Sequence, residues 1–288
     1  MVGAEVRRKA LEMPGLPTIP EVLSRIVHTS QDASSSAADL GAAIEADHAI
    51  TARVLRLANS AFYGRARRIA TVRQAIVLVG FESVRLLALA TSVIDSVSAL
   101  RQVALDPHDF WMHSFGSALA AREVERELGI GRADSICFSA ALLHDIGKYI
   151  LAACYGQAYA KALAGAASSG RRIHEVEREQ FGTHYGEVAA WLGTRWQFPE
   201  PLVETIRYVP VSGAYRGPMA REVRVVALAE QLACISGFGC AGDSADRAVD
   251  PTLAQDLSMR PDAIPRLVEQ LASSRDRTRR MLSEWGAS

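Results

Sequence analysis

The stretch "ALLHDIGKYIL" places His144 beside Asp145 in an apolar run, with Gly147 and Lys148 directly after. An imidazole and a carboxylate that reach one point suit a borderline or hard divalent ion, and the aspartate could bridge to a second. Gly147 would let another backbone or a phosphate come close. Lys148, four residues after His144, could meet a phosphoryl oxygen as a point charge. The chain has only three lysines (Lys9, Lys148 and Lys161), so one beside this pair carries information. The same residues also have a structural reading, in which a buried histidine bonded to a carboxylate holds helices in register.

A metal needs more donors. His113 stands 31 residues upstream in "FWMHSFGSALAA", on a helix that could run antiparallel to the one carrying the pair. His184 follows 40 residues after His144 in "FGTHYGEVAAWLG", at a helix start. Each histidine taken alone reads more simply as a helix-packing residue.

Helices have to position these groups, because helical periodicity dominates the chain and period-two alternation is scarce. The expected fold is all-α. "TIPEVLSRIVHTS" has Pro20 in its first turn and Val22, Leu23, Ile26 and Val27 on one face. "AADLGAAIEA" gives a second helix, and Asp47 caps a third along which Ile50, Val54, Leu57 and Ala58 align. Thr71 and Gln74 stand at capping-box spacing, with Gly80 as the stop. "FESVRLLALATSVIDSV" reads as a strongly apolar helix. Asp106 and Pro107 then start a helix running to Gly129. The HD pair is expected on the next helix, and further helices follow across "EVEREQFGTHYGEVAAWLGTRW", "PEPLVETIRYV", "REVRVVALAEQLACI" and "IPRLVEQLASSRDRTRRMLSEW". "GAYRGPMA" and the Gly/Ser/Asp-rich "SGFGCAGDSADRAVD" read as loops. The break near residues 98 to 106 divides the chain into an N-terminal helical lobe, residues 1–100, and a second lobe, residues 101–288.

The totals narrow the function classes. The 288 residues are 49% apolar and 22% charged, which suits a globular rather than a disordered chain. Net charge is zero, so no overall field draws in nucleic acid or an anionic membrane. Arg65, Arg67, Arg68 and Arg73 gather in "YGRARRIATVR" and read as solvated surface, and no helix is basic enough on one face for DNA recognition. Trp191 and Trp196 read as packing residues. The four cysteines lack CxxC spacing and read as free thiols in a reducing compartment. "MVGAEVRRKALEMPGLP" has no apolar signal region, and the run "LLALATSVI" is too short to span a bilayer, which needs about 20 residues. A cytoplasmic location is the expectation, and apolar helix faces are compatible with a homodimer.

These spacings resemble the HD phosphohydrolase superfamily. "LPTIPEVLSRIV", "IEADHAITARVLRLANSAFYG", "IATVRQAIVLVGFESVRLLALA", "LLHDIGKYIL" and "HYGEVAAWLGTRWQFPEPLVETI" are more specifically similar to the HDOD (HD-related output domain) family, over roughly residues 14 to 235. Asp47-His48 stands where that family usually has Asp-Pro. The resemblance implies a two-lobed helical fold with an HD-like C-terminal lobe, and it places Glu230 where HD enzymes have a distal aspartate. It also exposes departures. Tyr208 and Val209 stand where related two-metal phosphodiesterases have adjacent histidines, and no "GYP" triplet occurs. His113, His144, Asp145, His184 and Glu230 would remain as a vestigial or low-occupancy site, holding a single divalent ion or no cofactor. The resemblance therefore implies a bacterial signalling output without catalysis, alone or as the output portion of a response regulator. Its partners would be signalling proteins such as a sensor kinase, receiver or regulator, with neither membrane nor nucleic acid involved. The alternative is a mononuclear phosphohydrolase with His113, His144, Asp145 and Glu230 on the ion and Lys148 on the phosphate.

Overall fold

The computed structural model of the chain describes residues 2–13, 36–59, 69–81, 84–88, 91, 105–130, 135–243, 248–260 and 262–283. These residues are helical with short turns, and no strand occurs among them. The helix read at "TIPEVLSRIVHTS" and three of the clustered arginines, Arg65, Arg67 and Arg68, lie outside the described residues. So does most of "LATSVIDSV".

In the first half, α1 (Val2–Leu11), α2 (Ala37–Glu45), α3 (His48–Asn59) and α4 (Val72–Val79) start and stop at local signals. Asp47 Oδ1 accepts from the amides of Ala49 and Ile50 at 2.8 and 3.0 Å. His48 thus occupies the first helical position, which favours proline because no intrahelical amide bond is lost there. Thr71 accepts from the Gln74 amide at 3.1 Å, while Gln74 reaches past Thr71 to the amide of Ala70 at 2.8 Å. The Gly80 cap has φ 100°, where a side chain would be strained. The helices α2, α3 and α4 pack on one another, burying Ile44, Ile50, Val54, Ala58, Val72 and Ile76.

α1 instead reaches into the second half. It packs on α7 (Ile146–Tyr155), α9 (Ile173–Phe181) and α10 (Tyr185–Arg195), crossing the lobe boundary expected near residue 100. Lys9 Nζ lies over the Tyr155 ring at 4.3 Å and the Arg7 guanidinium over Trp191 at 5.9 Å. The Arg195 guanidinium donates to the Leu11 carbonyl.

The second half is organised around α5 (Pro107–Glu127), started by Asp106, whose carboxylate takes the Asp109 amide at 2.8 Å. Every residue from Phe110 to Ala121 is buried, so the middle of this helix is an interior rod with no solvent face, while its ends reach the surface. Around it pack α6 (Cys137–Leu143), α12 (Ala220–Ile235) and α14 (Ala263–Ser283). α7 lies against α10, and α10 forms a hairpin with α11 (Glu200–Tyr208). Gln157–Ser169 is α8 and Pro251–Asp256 is α13; residues 84–88 are helical too, and Val209–Val211 form a 3-10 turn. The span Cys137–Tyr155 is long and apolar enough to cross a membrane by composition, a stretch missed when "LLALATSVI" is taken as the longest apolar run. It is 89% buried inside the protein, which is how a core segment behaves.

Gly147 decides how closely α7 and α10 approach. A Cβ built there would stand 1.9 Å from the Tyr185 carbonyl oxygen and 3.0 Å from the Ala189 amide nitrogen. Of the two partners its sequence position suggested, a second backbone or a phosphate, the backbone fills the space. The Gly147→Ala variant is therefore expected to lose at least about 3 kcal/mol in urea unfolding, since backbone rather than a flexible side chain would have to move.

Candidate metal centre

The HD pair does not lie within one helix, as the sequence pattern suggested; it sits at a break. α6 ends at Leu143, His144 is its C-cap, and Asp145 is the N-cap of α7. Ending a helix orphans carbonyls, and the His144 side chain takes one, donating from Nδ1 to the Ala141 oxygen at 2.6 Å. That bond turns the other ring nitrogen, Nε2, inward. There it lies 3.3 Å from Asp145 Oδ1 and 3.7 Å from Glu230 Oε1 on α12. His113, on the interior rod α5, is oriented the same way. Its Nδ1 donates to the Gly239 carbonyl at 2.8 Å, leaving Nε2 3.5 Å from Asp145 Oδ2 and 3.4 Å from Ser117 Oγ. Gly239 has φ 83°, a conformation that presents its carbonyl inward at little cost only without a side chain.

The structure thus brings together His113, His144, Asp145 and Glu230, whose donor atoms all lie within 4.8 Å of one another. His184 does not join them. Its ring stands 6.3 Å from that of His174, and its Nε2 faces Glu187 Oε1 at 3.9 Å. Tyr208 lies stacked on Tyr215 with ring centroids 4.3 Å apart, and Val209 is buried in the core, so neither supplies a donor. Lys148 departs most from expectation. Its Nζ is 2.9 Å from each oxygen of Asp145 and donates to Oδ2, and the face of the Tyr185 ring covers it at 4.4 Å. Lys148, Asp145, His144 and His113 are all 0% exposed, so the ammonium does not face an open phosphate site.

Two polar atoms inside this cluster, His144 Nε2 and Asp145 Oδ1, are buried without a well-aligned hydrogen bond, although Oδ1 has the Lys148 ammonium at 2.9 Å. Apart from the ammonium of Lys148 that already meets Asp145, two imidazoles oriented by backbone carbonyls and two carboxylates are the donor types that suit a single divalent ion. His113, His144, Asp145 and Glu230 would hold it, and when bound it would polarise a phosphoryl oxygen or lower the pKa of a water. Among the described residues this group holds four donors, and the other candidate group, Asp106, His108 and Asp109, lies apart from it at the start of α5.

Burial and neighbouring charge set the protonation states. Burial pushes His113 down to about 4, against the pull of Asp145. Burial would also lower His144, but Asp145 and Glu230 outweigh it and hold the ring above its ordinary value. Glu230 is buried, yet His144, Lys148 and His113 keep its carboxyl well below the usual range. Burial acts against the Lys148 ammonium as well, and Asp145, Glu230 and Asp243 more than compensate, so it stays charged.

A layer that sequence reasoning missed surrounds the cluster. Glu177 is fully buried, accepts from the Tyr159 hydroxyl and the Tyr185 amide at 2.7 Å each, and is pushed up to about 8 by burial. Asp243, also buried, takes the Ile173 amide at 3.4 Å. Glu177 lies in "EVEREQFG" among other charged residues, and nothing local marks it as the one that turns inward. A Gly-rich loop was legible around Gly239, but its role as the carbonyl that orients His113 was not.

With the geometry in place, the comparison with known sequences is decisive for the family: the model of the HDOD domain matches residues 16–210. The chain belongs to the HDOD family. An uncharacterized protein of Treponema pallidum is 23% identical over 196 residues, covering 67% of this HDOD chain and 37% of the relative. The chain therefore spans well under half the length of the curated relative it matches. Among solved structures, an HDOD domain protein of unknown function from Geobacter sulfurreducens superposes with a TM-score of 0.75 at 24% identity, covering 98% of both chains. A candidate phosphohydrolase from Shewanella amazonensis reaches 0.73 at 24% identity, also over 98% of both. At these identities the likeness shows the shared HDOD fold.

Two outcomes follow from the geometry. Asp145→Ala leaves the Lys148 ammonium buried without its nearest counter-charge, and chemical denaturation is expected to show a loss of about 3–5 kcal/mol. For Glu177, the native state retains a proton that the unfolded chain releases near its ordinary 4.5, so its contribution is complete below 4.5 and declines as pH rises through about 8. Glu177→Gln mimics the protonated acid. Its stability relative to wild type should improve steadily across that window, and a difference that stays flat with pH would contradict the assignment.

Proposed function

We infer that this HDOD protein is a non-catalytic output module of bacterial signalling, working in the cytoplasm by binding a partner protein or small regulator. The carrying observation is that the His113–His144–Asp145–Glu230 cluster is sealed in the interior, with Asp145 already paired with Lys148 at 2.9 Å. A phosphohydrolase needs its ion and a substrate phosphate to meet at the carboxylate. Here the carboxylate meets an ammonium and an aromatic ring. Membership of a family of output domains supports the same reading, as do Tyr208 and Val209 where two-metal enzymes carry histidines. Suitable partners are a sensor kinase, a receiver domain, a further regulator or a second copy of the chain.

The second reading, a mononuclear phosphohydrolase acting on a nucleotide or other phosphate ester, draws on the convergence of His113, His144, Asp145 and Glu230. A panel of phosphodiesters and phosphomonoesters with added Mn²⁺ separates the two. No turnover is expected above that of an Asp145→Ala control, whereas capture from the native host should recover a signalling protein. Turnover lost in Asp145→Ala, with the helical circular-dichroism signal retained, would establish the hydrolase instead.

A further inference from the structure

Asp145 is the carboxylate that both imidazoles face, and its charge is already taken. Lys148 follows three residues later on the first turn of α7, so its ammonium reaches both carboxylate oxygens at 2.9 Å without leaving the helix. The ring of Tyr185 lies over the ammonium at 4.4 Å, and no part of Lys148 is exposed. An ion taking His144 Nε2 and Asp145 Oδ1 would share a single aspartate with this ammonium in the same solvent-inaccessible interior.

Charge counting sharpens the conflict. The cluster has two carboxylates, Asp145 and Glu230. With Lys148 in place, a divalent ion would set three positive charges against them, while without the lysine the charges match. Asp243, buried nearby, adds negative potential at Lys148 but is not one of the clustered donors that would contact the ion. Excess charge in a buried site costs far more than at a surface, where water would screen it.

We propose that Lys148 is a resident counter-cation: it takes the electrostatic place of a divalent ion in the His113–His144–Asp145–Glu230 cluster and keeps that cluster free of metal. The inference rests on the non-catalytic reading and names the residue responsible for it. The same donor set, relieved of one side chain, becomes a metal site.

The test is titration of the full-length chain with Mn²⁺ and with Zn²⁺, followed by calorimetry and by thermal melting. Wild type is expected to take up no stoichiometric ion and to melt at an unchanged temperature. Lys148→Met and Lys148→Gln should each bind one ion per chain, at least about 100-fold more tightly than wild type, with a melting temperature raised by the ion. Lys148→Gln still offers Asp145 a donor and supplies folded protein if Lys148→Met does not fold without metal. Adding Asp145→Asn to Lys148→Gln should abolish uptake, which locates the ion. Uptake by wild type as tight as by the variants overturns the proposal, as does a failure of both variants to gain affinity. Phosphodiester hydrolysis by the same samples keeps the two readings apart. Tight uptake by wild type without turnover removes only the role of Lys148, and tight uptake with turnover removes the non-catalytic reading as well.

Discussion

One buried ion pair governs the centre of this protein. Asp145 and Lys148 are opposite charges removed entirely from water, and two such groups are tolerated only when they meet at close range with their remaining valences satisfied. The break between α6 and α7 makes that meeting possible. It sets the aspartate at a helix start, where the free amides and the helix dipole favour a negative charge, and puts the lysine on the same turn. Tyr185 covers the ammonium, and Glu230 and Asp243 add negative potential.

The neighbouring histidines converge on the same aspartate. Each gives its Nδ1 hydrogen to a carbonyl, one from the end of α6 and one from the loop at Gly239, so both Nε2 atoms turn towards the same carboxylate. Because His113 lies on α5, Glu230 on α12 and Asp145 at the start of α7, the cluster joins three helices that are distant in sequence. Glu177 extends the buried polar layer to α9 and, through the Tyr185 amide, to the start of α10. A network of this kind resists local opening, because loosening one member exposes an unpaired group elsewhere. The cluster thus fixes how these helices sit on one another.

Much of the fold could be read along the chain, because caps are local chemistry. Asp47, Thr71 and Asp106 each bond amides within three residues, so their roles need no tertiary context. Helix identities survived even where α5 carries no polar face, since Asp106-Pro107 marked its start. Partners across the molecule were not legible. Nothing in "VGAEVRRKAL" says that α1 docks on α7 and α10, and nothing separates inward Glu177 from its outward neighbours Glu175 and Glu179. The side on which a charged residue ends is settled by what the other helices leave room for.

The sequence alone determined the helical class, many of the element starts and the inventory of donors: two carboxylates and three histidines that could share an ion, with tyrosine and valine where the family resemblance would need ligands for a second. Tertiary structure decided which donors converge. It brought His113 and Glu230 onto Asp145, left His184 beside His174, and turned Lys148 from a prospective phosphate contact into the partner of the aspartate. The reason is physical. Ligand type and spacing are written residue by residue, but the direction of a buried charge is fixed by the sum of fields and volumes around it, and those come from segments far away in the chain.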